Sequence, residues 1–281
     1  MKRIVSIQDI SCLGKCALTV ALPVISAMGV EAAVLPTAML SVHSDFPTFV
    51  SHDLSPAVPA VIEHWKRERF TFDGIYTGYL GGPDQAALIS GFVDAFKKDG
   101  CFYFLDPVMG DNGSLYAGLP PELPAAMAAL CRKADVIVPN ITEAALLLGC
   151  PYPGEDAGEE ALRALLTGLA ALGCPKVVLT GVRLGEDEVG VLGYDSETGE
   201  FFRAGSQKLP QRFPGTGDCL SSVCVGALAR GLPLPEALRL AVDFTCESLR
   251  RSIADPAHRW YGVNFEEAIP LLVSRLAARE E

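Results

Sequence analysis

The feature of this sequence that most constrains its fold is a regular alternation of short apolar segments with longer amphipathic ones. Runs such as CFYFLDP (101–107) and KVVLTG (176–181) have the length of buried strands, and segments with helical spacing lie between them. This alternation predicts parallel βαβ units, with helices on both faces of one sheet. The stretch 188–205 interrupts the alternation and predicts a hairpin. The remaining helices are predicted over 218–230, 234–252 and 264–279.

The domain organisation follows from what the pattern lacks. No linker rich in Ser, Gly or Pro and no internal repeat is visible in the 281 residues. This length suits one large α/β domain. We therefore predict a single α/β domain over residues 1–281, built as a mostly parallel central sheet between two layers of helices.

Composition excludes several classes of protein. No apolar run reaches about 18 residues, so no membrane span is expected, and MKRIVSIQDIS reads as a first strand rather than a signal peptide. The net charge is -11 and the basic residues are dispersed, which argues against nucleic-acid binding. Nine cysteines without a CxxC pair favour reduced thiols in a cytoplasmic protein. The four histidines lack the spacing of zinc ligands, so no zinc site is expected.

Glycines and polar residues follow almost every predicted strand. The segments QDISCLG, TGYLGG, DPVMGDNG, PNITE and TG each begin where a strand is predicted to end. In parallel α/β folds, ligands bind beyond the carboxyl ends of the strands. The sequence therefore predicts that the functional residues gather at one edge of the sheet.

The segment GTGD (215–218) opens a predicted apolar helix. Gly215 and Gly217 allow a tight turn with uncovered amides, and the helix start adds unpaired N–H groups that suit a phosphate. Asp218 would repel a phosphate, but it suits a base that takes a proton from an attacking hydroxyl. An ordinary Asp N-cap is the alternative interpretation. A Walker loop is absent from the sequence.

Two further loops carry oxygen ligands after predicted strands. Asp106 and Asp111 in DPVMGDNG suit Mg²⁺, although a solvated loop with Asx-turns would look the same. Asn140 and Glu143 in PNITE have the spacing of a helix-capping pair, which does not prevent Glu143 from contacting a water bound to the metal.

Two remaining segments offer substrate contacts. Tyr79 lies between glycines at a strand end and is either a stacking ring or a core residue. His43, Ser44 and Asp45 follow the second strand region, where His43 is a candidate substrate contact or simply a hydrogen-bonded loop histidine.

Taken together, these motifs resemble the ribokinase-like superfamily and within it the vitamin B6 branch, the pyridoxal/pyridoxamine kinases. The resemblance runs through SIQDISCLGKCALTV, LPTAMLSVHSDF, GYLGG, DPVMGDNG, PNITEAALLLG and GTGD and covers nearly the whole chain. It implies the three-layer ribokinase-like fold and ATP-dependent phosphorylation of the 5′-hydroxymethyl group of a B6 vitamer. It also implies ATP and Mg²⁺ as cofactors and a homodimer, and it leaves a monovalent-cation requirement open.

The resemblance assigns a role to each candidate residue. Asp218 would be the base, and the amides of Gly215, Thr216 and Gly217 would form the anion hole. The ATP–Mg²⁺ side would comprise Asp106, Glu143, Asn140, Asp111 and Thr180, with the metal on Asp106 and Glu143, partly through water. The substrate ring would be surrounded by Ser6, Asp9, Ser11, His43, Ser44 and Tyr79.

This sequence departs from the family pattern at three positions. Asp9 stands where many pyridoxal kinases have serine, Leu13-Gly14 replaces a Tyr-Gly pair, and Thr180 replaces a lysine. A carboxylate at position 9 suits a protonated pyridine nitrogen or a substrate amine, which would favour pyridoxamine.

Other functions remain open on the sequence alone. The nearest alternative is the hydroxymethylpyrimidine kinase of thiamin biosynthesis, which shares DPVMGD and PNxTE. A sugar or nucleoside kinase fits DPVMGD less well, and a non-catalytic binding protein would not be expected to keep Asp218, Asp106 and Glu143. A Rossmann dehydrogenase is excluded because no GxGxxG follows the first strand.

Overall fold

The fold was obtained as a computed structural model that describes residues 1–279. Its centre is a nine-stranded sheet with the strand order β11-β10-β9-β8-β5-β4-β1-β2-β3, and a two-stranded ribbon, β6-β7, lies apart from it. The strands are β1 (Arg3–Leu13), β2 (Glu31–Val42), β3 (Ser51–Asp53), β4 (Gly74–Thr77), β5 (Phe102–Leu105), β6 (Gly110–Asp111), β7 (Ser114–Leu115), β8 (Val136–Ile137), β9 (Lys176–Arg183), β10 (Glu188–Asp195) and β11 (Glu200–Gln207).

Six neighbouring strands of the sheet, from β2 to β9, run parallel. The side chains of the central strands β1, β4, β5 and β8 are mostly buried on both faces, whereas β2 is partly exposed. Ile4 packs into the core on one face and Val5 into the core on the other, and Val178 and Leu179 alternate in the same way. The mostly parallel sheet between helical layers is the predicted fold class.

Helices cover the two faces of the sheet. One layer contains α2 (Val58–Arg67), α3 (Pro83–Phe96), α4 (Leu123–Cys131), α5 (Ile141–Leu148) and α6 (Glu159–Ala171). The other contains α1 (Leu18–Ala27), α7 (Thr216–Ala229), α8 (Leu234–Ala254) and α9 (Ile269–Ala277). None of the helices within residues 1–279 is long and apolar enough to cross a bilayer.

Two boundaries differ from the sequence prediction. Strand β1 continues to Leu13 because β2 pairs with it along its whole length, with an irregularity between Gln8 and Ile10. The segment QDISCLG is therefore largely strand rather than loop. The predicted helix over 264–279 is wrong at its start: a short 3₁₀ turn comes first, and α9 begins at Ile269 with Pro270 in its first turn.

The predicted hairpin is present. β10 and β11 pair antiparallel from Glu188↔Gln207 to Asp195↔Glu200 and extend the sheet beyond β9. All nine cysteines lie within the described residues and all are free thiols.

Candidate active site

A cavity of about 660 Å³ lies where the carboxyl ends of the central strands meet the start of α7. It reaches from the loop after β5 to the hairpin strands β10 and β11 and helix α8. Nine of the predicted site residues line it: Asp106, Asp111, Asn140, Glu143, Thr180, Gly215, Thr216, Gly217 and Asp218. The structure thus brings the phosphate-side residues of four separate segments around one space.

The start of α7 has the geometry of an anion site. Gly215 is the N-cap and adopts a left-handed conformation with φ 83°. A Cβ at this position would lie 1.9 Å from the backbone oxygen of Lys15, so only glycine fits. A Cβ at Gly217 would meet nothing within 4 Å, since that residue faces open space. The first amides of the helix lack intrahelical partners and can therefore receive an oxyanion.

Asp218 lies in the first turn of α7 and is half-buried. Burial raises the pKa of its carboxyl group to about 7, and the charges of Asp106 and Asp9 raise it further, whereas a backbone hydrogen bond from Ala17 opposes the shift. Ala17 holds φ 50°, a conformation that costs energy for a residue with a side chain. A carboxylate with a pKa near neutrality is suited to proton transfer.

Asp106 follows β5 and is buried, with 6% of its surface exposed. Its Oδ2 accepts a 2.7 Å hydrogen bond from the hydroxyl of Ser221, one turn along α7 from Asp218. Burial raises the pKa of Asp106 to about 6, and the Ser221 hydrogen bond partly offsets this. The hydroxyl of the fully buried Tyr76 lies close to the same serine. A buried polar cluster therefore lies beneath the two carboxylates.

Asn140 and Glu143 form the capping box that their spacing allowed. The Asn140 side chain accepts from the Glu143 amide at 2.8 Å, and Oε2 of Glu143 accepts from the Asn140 amide at 2.8 Å. Oε1 of Glu143 accepts from the amide of Met109 at 3.1 Å, and Nδ2 of Asn140 donates to the carbonyl of Gly110 at 2.9 Å. The pair therefore ties the start of α5 to the loop that carries Asp106 and Asp111.

The Asp106 and Glu143 carboxyl groups fit a divalent cation. Burial raises the pKa of Glu143 well above its usual value, and the neighbouring charge of Asp106 raises it further. Such mutual repulsion would be relieved by a cation, and Mg²⁺ prefers a few carboxylate ligands completed by phosphates and water. Within residues 1–279, no group of three or more His, Cys, Asp or Glu side chains is placed so that it could hold a metal ion by itself.

Thr180 and Asp111 lie at the edge of the same cavity. Thr180 forms an isolated parallel bridge with Asn140, and its amide donates to the carbonyl of Pro139 at 3.0 Å. Asp111 is exposed and accepts from the amide of Asn112 at 2.8 Å, as an Asx-type loop residue does. Both side chains can be reached from the cavity.

Strand β1 contributes a second polar pair, Asp9 and Ser11, close to Asp218. The hydroxyl of Ser11 donates to Asp9 at 3.3 Å, and both residues are buried. Burial raises the pKa of Asp9 to about 6. Tyr79 lies near enough that burial, followed by the charge of Asp9, raises its pKa. The thiol of Cys16 has Asp218, Ser11 and Asp9 around it.

Of the predicted substrate contacts, Ser6 and His43 form hydrogen bonds within the protein, and Ser44 lies at the surface. Ser6 is buried inside β1, where its hydroxyl accepts from Nε2 of Gln8 at 2.8 Å. The ring of His43 uses both nitrogens within the protein: Nδ1 is 3.3 Å from the Asp45 amide, and Nε2 is 3.0 Å from the carbonyl of Tyr261. This pattern assigns Nε2 as the protonated nitrogen. Ser44 is exposed.

Sequence reasoning missed several residues that line the site. Burial raises the pKa of Tyr116, and the charges of Glu143, Asp111, Asp45 and Asp106 raise it further. Its place in the loop after a predicted strand could have marked it. Ser221 could have been found from its spacing, three residues after Asp218 on a helix. Arg212 and Glu155 also line the cavity; Arg212 belongs to the segment 206–214, whose position just before GTGD makes it a candidate lid, whereas Glu155 carries no local sequence signal.

Comparisons with known proteins agree on one family. The family model described as phosphomethylpyrimidine kinase matches residues 21–259. A curated relative from Bordetella bronchiseptica, named pyridoxine/pyridoxal/pyridoxamine kinase, is 30% identical over 89% of this chain and 89% of its own.

Solved structures are also similar to this chain. A pyridoxal kinase from Lactobacillus plantarum has a TM-score of 0.90 and 34% identity, with 98% of each chain covered. A protein from Bacteroides thetaiotaomicron, provisionally named phosphomethylpyrimidine kinase and crystallised with pyridoxal, has a TM-score of 0.91 and 36% identity over 96% of this chain and 95% of its own.

Proposed function

This chain belongs to the phosphomethylpyrimidine kinase family, and we propose that it is a pyridoxal kinase. It transfers the terminal phosphoryl group of ATP to the 5′-hydroxymethyl group of a B6 vitamer. The observation that carries the proposal is the position of Asp218. Its carboxyl group lies at the amide-rich start of α7, close enough to Asp106 and Asp9 that their charges raise its pKa.

The phosphate side of the site supplies charge stabilisation. In the proposed reaction, the amides of Gly215, Thr216 and Gly217 receive the charge that develops on the transferred group. Asp106 and Glu143 would hold Mg²⁺, partly through water, with Asn140, Asp111 and Thr180 beside the nucleotide phosphates. Bound Mg²⁺ would neutralise charge on those phosphates.

Asp218 acts as the general base in this proposal. Phosphoryl transfer depends mainly on alignment and charge, so the base takes the hydroxyl proton as the new bond forms. A pKa of about 7 leaves a large fraction of Asp218 ionised at neutral pH and keeps it basic enough to accept a proton. Because Asp218 lies in the first turn of α7, its carboxylate is held beside the proposed anion hole.

The substrate ring is proposed to bind beside Asp9 and Ser11, with Tyr79 as a neighbouring ring. These side chains lie on the same side of the site as Asp218. His43 shapes this region through its contacts with Gly14 and Tyr261 and has no ring nitrogen left for the substrate. Ser6 and Ser44 are the weakest members of the proposed substrate set, because one is tied to Gln8 inside the strand and the other is exposed.

The proposal also covers domain organisation, location, assembly and a monovalent cation. A single domain is supported by one continuous nine-stranded sheet. A cytoplasmic location is supported by nine free thiols. A homodimer and any monovalent-cation requirement are carried over from the family resemblance alone.

The deciding experiment compares four acceptors. ADP release from Mg-ATP is measured with pyridoxamine, pyridoxal, pyridoxine and hydroxymethylpyrimidine at matched concentrations. The highest kcat/KM with a B6 vitamer supports the proposal and ranks the vitamers. Preference for the pyrimidine would move the protein to thiamin biosynthesis while leaving the phosphate-side roles intact, and no turnover of any acceptor would overturn the proposal.

A further inference from the structure

The charges that line the cavity are unbalanced for a nucleotide site. Six carboxyl groups line it, whereas Lys208 and Arg212 are the two basic residues of the lining within residues 1–279. A polyphosphate carries several negative charges, and a bound magnesium ion, with its charge of +2, could offset only two of the negative charges in the cavity. The cationic side chains of the lining therefore matter more here than in a neutral cavity. The carboxyl groups belong to Asp45, Asp106, Asp111, Glu143, Glu155 and Asp218.

Arg212 is held by a carboxylate in the structure. Its Nη1 lies 2.9 Å from Oε1 of Glu155 and its Nη2 lies 2.7 Å from Oε2, which is the bidentate geometry that a guanidinium also adopts with phosphate. Arg212 comes three residues before Gly215, on the segment that leads into the anion hole. Glu155 lies in the loop between α5 and α6.

Breaking this ion pair should cost the protein little stability. The side chains of Arg212 and Glu155 are 72% and 50% exposed. Pairs in such surroundings contribute little to stability, because water screens them and holding two long side chains costs entropy. An arriving phosphate group can therefore replace the carboxylate without disturbing the fold.

We propose that Arg212 is a nucleotide-phosphate ligand and that Glu155 occupies its guanidinium group until the nucleotide arrives. This rests on the proposed function, since it names a further residue of the same ATP site. Glu155 then acts as an internal competitor of the phosphates. Nucleotide binding exchanges one bidentate anion for another, and the segment 206–214 is drawn toward the phosphates through Arg212.

The two halves of the ion pair give opposite predictions. Arg212→Ala removes the ligand and is expected to weaken Mg-ADP binding about tenfold, the low end for a charge-assisted hydrogen bond. Glu155→Gln removes the competitor and is expected to strengthen it about two- to fivefold. The readout is the dissociation constant of Mg-ADP from titration calorimetry, which requires no turnover.

Controls separate this role from general electrostatics. Asp156→Asn removes a neighbouring negative charge whose partner is Arg183, outside the cavity lining, and should leave the Mg-ADP constant within twofold. In the Arg212→Ala background, Glu155→Gln should lose most of its benefit. Thermal unfolding of each variant checks that the fold is intact.

Each outcome decides the question. Weaker Mg-ADP binding by both Arg212→Ala and Glu155→Gln would mean that the ion pair only stabilises the structure of the site. Unchanged Mg-ADP binding by Arg212→Ala would also overturn the inference. A benefit of Glu155→Gln that persists without Arg212 would reduce Glu155 to a source of charge repulsion. Failure of the parent protein to bind Mg-ADP would instead count against the proposed function.

Discussion

The hydroxyl of Ser221 donates a 2.7 Å hydrogen bond to Oδ2 of Asp106, although 115 positions separate the two residues in the chain. Both side chains are buried. Ser221 lies on the helix that begins with the anion hole and Asp218, whereas Asp106 lies at the end of β5. The contact fixes the orientation of the carboxylate relative to the helix that carries the proposed base.

Ser221→Ala should therefore impair the proposed metal side of the site. Without its donor, Asp106 loses one fixed hydrogen bond, and the Mg²⁺ concentration needed for half-maximal ADP binding should rise roughly fivefold. Calorimetric ADP titrations at several Mg²⁺ concentrations measure this directly.

Ser222→Ala is the matched control. Ser222 lies on the same helix and is equally buried, but the hydrogen bond to Asp106 comes from Ser221. Ser221→Thr keeps the hydroxyl and should restore most of the Mg²⁺ affinity. Equal Mg²⁺ dependence of the two alanine variants would show that Ser221 contributes only packing.

Asp218→Asn should lower kcat at least about a hundredfold, the low end for loss of a general base. The amide keeps the size of the side chain, so the dissociation constant of Mg-ADP should stay near that of the parent. Steady-state kinetics with the preferred vitamer and calorimetry together make the comparison. Turnover within a few-fold of the parent would remove Asp218 from the role of base.

The pH dependence of unfolding should report the same carboxyl group. Burial raises the folded-state pKa of Asp218 to about 7, above its ordinary value of 3.8. A proton therefore stabilises the folded state, and this contribution is full below about pH 4 and is lost as the pH rises to about 7.

The uncharged side chain of Asp218→Asn lacks this pH dependence. Relative to that of the parent, the unfolding free energy of the variant should therefore increase from pH 5 to pH 8, by up to about 3 kcal/mol. Urea denaturation without nucleotide or metal at several pH values provides the measurement. A constant difference across this range would mean that the Asp218 pKa is not raised in the folded protein.

Gly215→Ala should be far more damaging than Gly217→Ala. Gly215 has φ 83°, and an added Cβ would meet the Lys15 backbone oxygen, which cannot move like a flexible side chain. Gly217 has open space around its α-carbon. We expect a fall in Tm of several degrees for the first variant and little change for the second. Equal Tm values would contradict the close approach of residues 15 and 215.

Asp9→Ala should weaken pyridoxamine binding more than pyridoxine binding. The buried carboxylate can pair with the amine of pyridoxamine, whereas pyridoxine has a hydroxyl there and gains less. Dissociation constants for both vitamers give the ratio, and Ser44→Ala, at an exposed position, serves as the control. An unchanged constant for pyridoxamine would remove Asp9 from the recognition of the amine.

The sequence allowed much of the architecture to be predicted. The alternation of apolar runs with amphipathic segments predicted a mostly parallel sheet between two helical layers, and 188–205 predicted its antiparallel hairpin. Element ends were less secure, because pairing partners decide them: β1 extends to Leu13 only because β2 runs beside it. The start of α9 was misplaced because local periodicity continues through the 3₁₀ turn.

By itself, the sequence determined which residue types stand at the strand ends and at the start of α7, since these follow from local order along the chain. Only the tertiary structure decided how their atoms are used. His43 has both ring nitrogens engaged, both oxygens of Glu143 accept from backbone amides, and Arg212 forms a bidentate ion pair with Glu155. The physical reason is that hydrogen bonds and ion pairs depend on distance in space, and these partners are set by how separate strands and helices pack.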